Sequence, residues 1–298
     1  MQSFVTRFAP SPTGELHLGH AYAAIVVWEA ARRAGGRLLL RIEDIDQGRC
    51  RPEYEQAIYE DLAWLGLQWE TPVRRQSERF AFYEAAIADL AERGLLYRCF
   101  KTRREILDEI AAAPHKPEAT LGAAQDIGTP YVGAALPPDE EQGLLEAGKP
   151  FAWRLSMARA LEETGALSVR FERLDGSAGE SIPARPEQFG DPVLARKDFP
   201  ASYHLASVLD DADQGVTHVI RGEDLTAAAH LHVLLQALLD LPSPIYRRHK
   251  LILGPDGTRL SKRNDAKSIR SHREEGASLT DVYALLGLEW RIDAPPPT

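Results

Sequence analysis

The sequence predicts an α/β fold built on a parallel sheet, and three features point to it. Residues 3–43 read strand, helix, strand, with the apolar period changing from that of a strand to that of a helix and back. Far downstream, Gly215-Val-Thr-His-Val-Ile-Arg221-Gly-Glu-Asp is a further short apolar strand with a polar end. Between these, from about Thr102 to Asp191, proline and glycine are frequent and strand signals scatter, as expected of an inserted α+β subdomain.

In chain order, Ser3–Phe8 is a β-type run, and Pro10 and Pro12 force an extended turn after it. A helix is expected from about Leu18 to Ala34, with Ala21, Ala24, Ile25 and Trp28 at helical spacing and Gly35-Gly36 as the stop. Arg37-Leu-Leu-Leu-Arg-Ile-Glu43 follows as a buried strand ending in acid, which makes a βαβ unit with parallel strands. In such sheets ligands sit beyond the carboxyl ends of the strands, here the 7–14 loop and Glu43-Asp44-Ile-Asp46. Pro52–Leu65 and Glu78–Arg93 read as amphipathic helices closed by Gly66 and Gly94. Phe151–Leu155 and Ser168–Glu172 are strand candidates within the insertion. Regular pattern resumes at Tyr203–Leu209, followed by the 215–224 strand, a helix at His230–Leu239 and a last short strand Lys250-Leu-Ile-Leu-Gly. Leu279–Leu286 is helical, and the proline-rich tail from Ala294 is expected to be disordered. The implied organisation is 1–101 and 191–245 as two halves of one sheet domain, 102–190 as the insertion, and 246–298 as a loop and helical region.

Composition narrows the class. Of 298 residues, 44% are hydrophobic and 27% charged, ordinary for a globular protein with a real core. The longest apolar runs, such as Ala23–Trp28, are too short to cross a bilayer, and the N-terminus lacks the apolar stretch of a secretory signal. Cys50 and Cys99 are too few for a disulfide framework, so the expected compartment is the cytoplasm, with no membrane partner; a monomer is expected because nothing in the sequence suggests an obligate interface. The net charge of −9 argues weakly against a nucleic-acid partner, yet Arg247, Arg248, Lys250, Arg259, Lys262, Arg263, Lys267, Arg270 and Arg273 crowd one stretch that could meet phosphate.

Two motifs carry chemistry. His17-Leu-Gly19-His20 stands at the start of the first helix, where aligned backbone N–H groups and two imidazoles suit a phosphate gaining negative charge. Gly19 would let an adenosine lie against the backbone. Lys262, on the glycine-rich run Gly254-Pro-Asp-Gly257-Thr-Arg259-Leu-Ser261-Lys262, could close on a triphosphate and neutralise departing pyrophosphate. Together they indicate nucleotidyl transfer with ATP and Mg²⁺, with His17, His20 and Lys262 as the catalytic groups and Pro10, Gly19, Arg259 and Ser261 beside the nucleotide.

Arg7-Phe-Ala-Pro-Ser-Pro-Thr-Gly with His17-Leu-Gly-His20 resembles the signature of class I aminoacyl-tRNA synthetases of the glutamate branch. Leu40-Arg-Ile-Glu-Asp-Ile-Asp46, Gln76-Ser-Glu-Arg79, Gly94-Leu-Leu-Tyr97 and Val219-Ile-Arg-Gly-Glu-Asp224 extend the likeness over most of residues 3–265. It implies a Rossmann-type catalytic domain, and a glutamate pocket made by Arg7, Phe8, Ala9, Pro10, Ser11, Glu43, Tyr203 and Arg221. Arginines at strand ends can form forked pairs with carboxylates, and Glu43 can hold the ammonium; which arginine takes which carboxylate is open.

With some 30 residues after the Lys262 loop and no anticodon-binding domain expected, the plan is similar to the short glutamyl-queuosine tRNA(Asp) synthetases. That resemblance implies glutamate activation without tRNA and transfer to queuosine in the tRNA(Asp) anticodon loop. Ser207 stands where the long enzymes usually have asparagine, a change in the pocket. The zinc ligands of the short family are incomplete: Cys99 and Tyr131 remain, whereas Lys101 and Ala135 replace two cysteines, and His115 offers no obvious rescue, so no zinc is expected. The rival readings are a truncated synthetase charging the tRNA 3′ end, another nucleotidyltransferase with a His-x-Gly-His box making a small metabolite, and a non-catalytic RNA-binding paralogue.

Overall fold

A computed structural model of the chain describes residues 3–112, 130–252 and 267–288. Strand β1 (Val5–Phe8) leads through the proline turn into helix α1 (Leu18–Arg33), and β2 (Arg37–Ile42) returns beside β1 in parallel. The sharp return has a steric basis. A Cβ at Gly36 would lie 2.3 Å from the Phe4 carbonyl oxygen, and Gly35 adopts φ +58°. Beyond Arg37, β2 is buried along its whole length, as a central strand covered on both faces must be. Helix α2 (Pro52–Trp64), with proline in its first turn, brings the chain to β3 (Glu70–Arg75), giving a parallel sheet of order β1-β2-β3.

After helix α3 (Phe80–Glu92) the chain leaves that sheet. Strands β4 (Leu96–Cys99), β5 (Ala152–Leu155) and, further on, β8 (Val193–Arg196) pair antiparallel in their own sheet. Helices α4 (Arg103–Ala112), α5 (Pro138–Glu146) and α6 (Met157–Thr164) flank it in sequence. Strands β6 (Ser168–Glu172) and β7 (Gly179–Pro183) form a hairpin, and β6 joins β10 (Ile245–His249) in parallel, itself parallel to β9 (His218–Gly222). Strand pairing thus cuts across the 102–190 boundary. The antiparallel unit begins at β4, before residue 102, while β6 inside the expected insertion belongs to the β9–β10 sheet.

The regular pattern at Tyr203–Leu209 is that of helix α7 (Tyr203–Asp213), started by Ser202, whose side chain accepts from the Leu205 N–H. One expectation is corrected: among the described residues the last strand is β10, which ends at His249 and is not continued by 250–252, because its partner β9 stops at Gly222, opposite His249. Residues 253–266 and the tail lie outside the described residues.

The parallel β1–β2–β3 sheet and the mixed sheet that holds β9 meet at β1 and β9. The Thr217 N–H donates to the Val5 carbonyl at 2.9 Å, and the Val5 N–H donates to Thr217 Oγ1 at 2.9 Å. One core gathers Ile25, Leu40, Ile42 and Ile58 with Ile269 and Tyr283 of helices α9 (Ile269–Glu274) and α10 (Leu279–Leu285). Another packs α3, α7 and α8 (Ala228–Leu238) through Tyr83, Leu90, Leu205 and Leu234. The basic C-terminal stretch, in its described part, is largely spent on internal pairs: Arg247 with Glu172 at 2.7 Å, Arg270 with Glu60 at 3.2 Å, and Lys267 with Glu275. Among the described residues it is not a bare cationic face for phosphate.

Candidate active site

A cavity of about 690 Å³ opens where the polar ends of β1, β2 and β9 converge. Arg7 to Ser11 line it from the end of β1 and the turn beyond, His17, Gly19 and His20 from the start of α1, and Glu43 from the end of β2. Tyr203, at the start of α7, and Arg221, in β9, complete the set. Every described residue expected to meet ATP or glutamate therefore faces one cavity. Arg259, Ser261 and Lys262 lie outside the described residues.

The histidine box is locked by its own hydrogen bonds. His17 is the N-cap of α1 and its Nδ1 accepts from the Gly19 N–H at 3.1 Å, while His20 Nδ1 accepts from the His17 N–H at 3.2 Å. Both Nδ1 atoms accept, so in the neutral rings the proton sits on Nε2, a donor suited to phosphate oxygen. A Cβ at position 19 would fall 2.9 Å from His17 Cε1. The contact that demands glycine here is with the neighbouring imidazole, a local reason not visible in the motif.

Beneath the amino-acid side of the cavity lies a buried ionic network centred on α7. Asp211 accepts from Arg7 Nε at 2.9 Å and from Arg41 Nη1 at 2.7 Å. Arg41, fully buried, also reaches Glu43 at 3.2 Å. Asp210 accepts from the Tyr83 hydroxyl at 2.8 Å and from Gln76 Nε2 at 3.0 Å. Burial alone would raise the Asp211 carboxyl, but the Arg7 and Arg41 guanidinium groups outweigh it and hold it below its ordinary range. Burial wins at Glu43, whose carboxyl is pushed up despite Arg41 and Arg7. An ammonium ion placed beside Glu43 would supply the charge it lacks. Ser207, fully buried, bears on the same carboxylate, its Oγ lying 3.5 Å from Glu43 Oε1.

Arg221 is held otherwise. Its Nη2 lies 3.3 Å from His232 Nδ1, and its Nε and Nη1 are buried without a hydrogen-bond partner. A cation that lines a cavity without an anionic partner among the described residues suits a carboxylate ligand. A second cavity, of about 360 Å³, shares Ser11, Glu43, Tyr203 and His204 with the first.

The family described as tRNA synthetases class I (E and Q), catalytic domain, matches residues 3–288. The chain belongs to this family. Among relatives, the glutamyl-Q tRNA(Asp) synthetase of Rhodobacter capsulatus is 47% identical over 295 residues, covering 95% of this chain and 100% of that protein. The glutamate–tRNA ligase of Aquifex aeolicus is 39% identical over 96% of this chain, which spans 58% of the ligase's length. A crystal structure of a glutamate tRNA ligase from Elizabethkingia meningosepticum, in complex with its amino acid, superposes with a TM-score of 0.70 at 29% identity, covering 92% of this chain and 58% of that one.

In this synthetase Cys99 and Tyr131 meet in a small buried cluster with Tyr97 and Ile106. Lys101 sets its ammonium 5.8 Å from the Tyr131 ring and pairs with Glu109 at 2.5 Å, and Ala135, exposed, has no donor atom to offer. Two donors and an intruding cation do not make a tetrahedral zinc set. The cluster is tied instead by Asp191, which accepts from the Tyr97 hydroxyl, the Gly133 N–H and the Met157 N–H, each at 2.9 Å.

Sequence reasoning missed Arg41, Asp210, Asp211, His204 and His232 as parts of the synthetase site. Arg41 had a signal, a cation inside an otherwise apolar strand, which requires a buried anion elsewhere. The Asp210–Asp211 doublet on an apolar helix was its counterpart.

Proposed function

We propose that this chain activates L-glutamate with ATP and then transfers it to queuosine in the anticodon loop of tRNA(Asp), without needing tRNA for the first step. The observation that carries the glutamate half is that Arg221, a cation with no ion pair among the described residues, lines the same cavity as Glu43. The acceptor half is supported by the glutamyl-Q tRNA(Asp) synthetase of Rhodobacter capsulatus, which this chain matches over that protein's full length.

In the first step the glutamate α-carboxylate attacks the α-phosphate of ATP; a P–O bond forms to the amino acid and the bond to pyrophosphate breaks. His17 and His20, held at the α1 N-terminus, donate to the phosphate oxygens as charge builds, and Lys262 receives the pyrophosphate. Arg7 and Arg221 orient the carboxylates, Glu43 holds the ammonium and Tyr203 donates its hydroxyl. Phe8, Ala9, Pro10 and Ser11 shape the wall, with Arg259 and Ser261 beside the nucleotide. Mg²⁺ bound with ATP would shield the phosphates. In the second step a hydroxyl of queuosine attacks the activated carbonyl, an ester bond forms, the bond to AMP breaks and the departing phosphate takes the hydroxyl proton; with no protein base required, positioning carries much of the rate. The second cavity offers a route to that carbonyl past Ser11 and Tyr203.

The chain is further proposed to act without zinc, as a cytoplasmic monomer with no membrane partner. The donor set around Cys99 supports the former, and elemental analysis of the purified protein should return less than about 0.1 zinc per chain. Among the described residues no helix is long and apolar enough to cross a membrane. Glutamate-dependent ATP–pyrophosphate exchange without tRNA, followed by labelled glutamate offered to tRNA with and without queuosine, tests the whole reading. Exchange that strictly requires tRNA would overturn it in favour of charging at the tRNA 3′ end.

A further inference from the structure

Three arginines stand at or beneath the amino-acid side of the cavity, and they are anchored in two ways. Arg7 and Arg41 share the Asp211 carboxylate, whereas Arg221 forms no ion pair among the described residues. Its anchor is His232, 1% exposed, whose Nδ1 lies 3.3 Å from Arg221 Nη2 and whose Nε2 lies 3.1 Å from His204 Nδ1. These contacts dictate where the protons are. A guanidinium can only donate, so His232 Nδ1 accepts and carries none. The single proton of that ring sits on Nε2 and is donated to His204 Nδ1, which puts the proton of His204 on its Nε2. Both rings are then neutral, each in one tautomer. Burial, and after it the Arg221 charge, holds His232 well below the ordinary histidine value.

The choice of a neutral acceptor has a consequence. A carboxylate in place of His232 would orient Arg221 equally well, but it would cancel the charge, as Asp211 does for Arg7 and Arg41. We infer that His232, backed by His204, is a positioning residue for amino-acid binding: it aims the Arg221 guanidinium through an uncharged acceptor, leaving its positive charge uncancelled for a substrate carboxylate. That role rests on Arg221 being the glutamate ligand proposed above.

Three substitutions read by ATP–pyrophosphate exchange test it. His232→Leu removes the acceptor; the KM for glutamate is expected to rise about 10- to 100-fold, the worth of a hydrogen bond to a charged group, while kcat and the KM for ATP stay within about 3-fold. His232→Asn, whose Oδ1 can stand in for Nδ1, is expected to recover most of that loss. His232→Asp should be the most damaging for glutamate, raising its KM by more than about 100-fold, because the new anion competes with the substrate for Arg221. Equal rises in both KM values, or a glutamate KM unmoved by Leu and Asp, would overturn the inference. Should a variant fail to fold, ¹⁵N NMR of the imidazoles in the wild-type protein decides: His232 is expected to be protonated on Nε2 alone at pH 7, and a proton on Nδ1 overturns the scheme. Wild-type protein that shows no glutamate-dependent exchange removes the functional reading and this role with it, whereas exchange that is indifferent to His232 removes only the role.

Discussion

The two flanks of the amino-acid cavity solve the same problem with different chemistry. On one side Asp211 binds Arg7 and Arg41 in a buried ionic knot; on the other, the neutral pair His204–His232 holds Arg221. Charge cancelled inside the protein fixes structure, because each partner would be costly to bury alone. Charge held by a neutral partner is available to a ligand. On the function proposed above, the ionic flank is chiefly a frame, from which Arg7 orients a carboxylate with its charge partly offset, and the histidine flank is the stronger receptor.

The sharpest way to break this contrast is Asp211→Asn, which strands the buried Arg7 guanidinium and strips Arg41 of its shortest ion pair. It is expected to cost about 3–5 kcal/mol of stability, seen as a lower urea midpoint. Arg221→Gln should do the opposite, leaving the urea midpoint nearly unchanged while lowering kcat/KM for glutamate about 10²- to 10³-fold in pyrophosphate exchange. If both substitutions damaged stability alike, the division into frame and receptor would fall.

Acid should take the flanks apart in separate windows. The His204 ring is lowered to about 4 by burial first and by Arg221 second. Its folded value lies below the unfolded one of about 6.5, so the unfolded chain takes up the proton first. The histidine contribution is therefore whole above about pH 6.5 and declines as pH falls towards about 4. The Asp211 carboxyl is depressed, so its contribution persists until pH falls below the ordinary carboxylate value of about 3.9. Urea titrations between pH 8 and 3 should show two successive losses of stability; a flat curve down to pH 4 would remove the histidine window. The smallest effect is expected for Ser207→Ala. Its 3.5 Å contact with Glu43 is long, and loss should change glutamate affinity by less than about 5-fold.

Much of the site could be read from the chain because its residues are clustered in sequence. The stretch from Arg7 to His20 delivers one wall of the cavity, and Glu43 and Arg221 follow from strands with polar ends. The supports were harder to see, since a buried ion pair joins positions whose separation carries no period. Arg41 meets Asp211 across 170 residues, and nothing local to either announces the other. His232 lies on α8 among Leu231, Val233, Leu234 and Leu235, where a histidine reads as one more core residue. Of the fold, the βαβ unit was legible through its apolar periods and Gly35-Gly36. The assignment of β6 to the β9–β10 sheet was not, because strand partners are chosen by tertiary packing.

The Arg7–Asp211 pair spans 204 residues, and the Val5–Thr217 seam slightly more. On the ribosome the histidine box emerges early, yet the strand before it has neither its edge partner nor the anion for its arginine until α7 and β9 follow. Pairings so distant in sequence close slowly, after much loop entropy has been overcome. A nascent chain arrested before residue 211 would carry the nucleotide motif with no amino-acid pocket beside it, and partial translation products should therefore be inert rather than half-active.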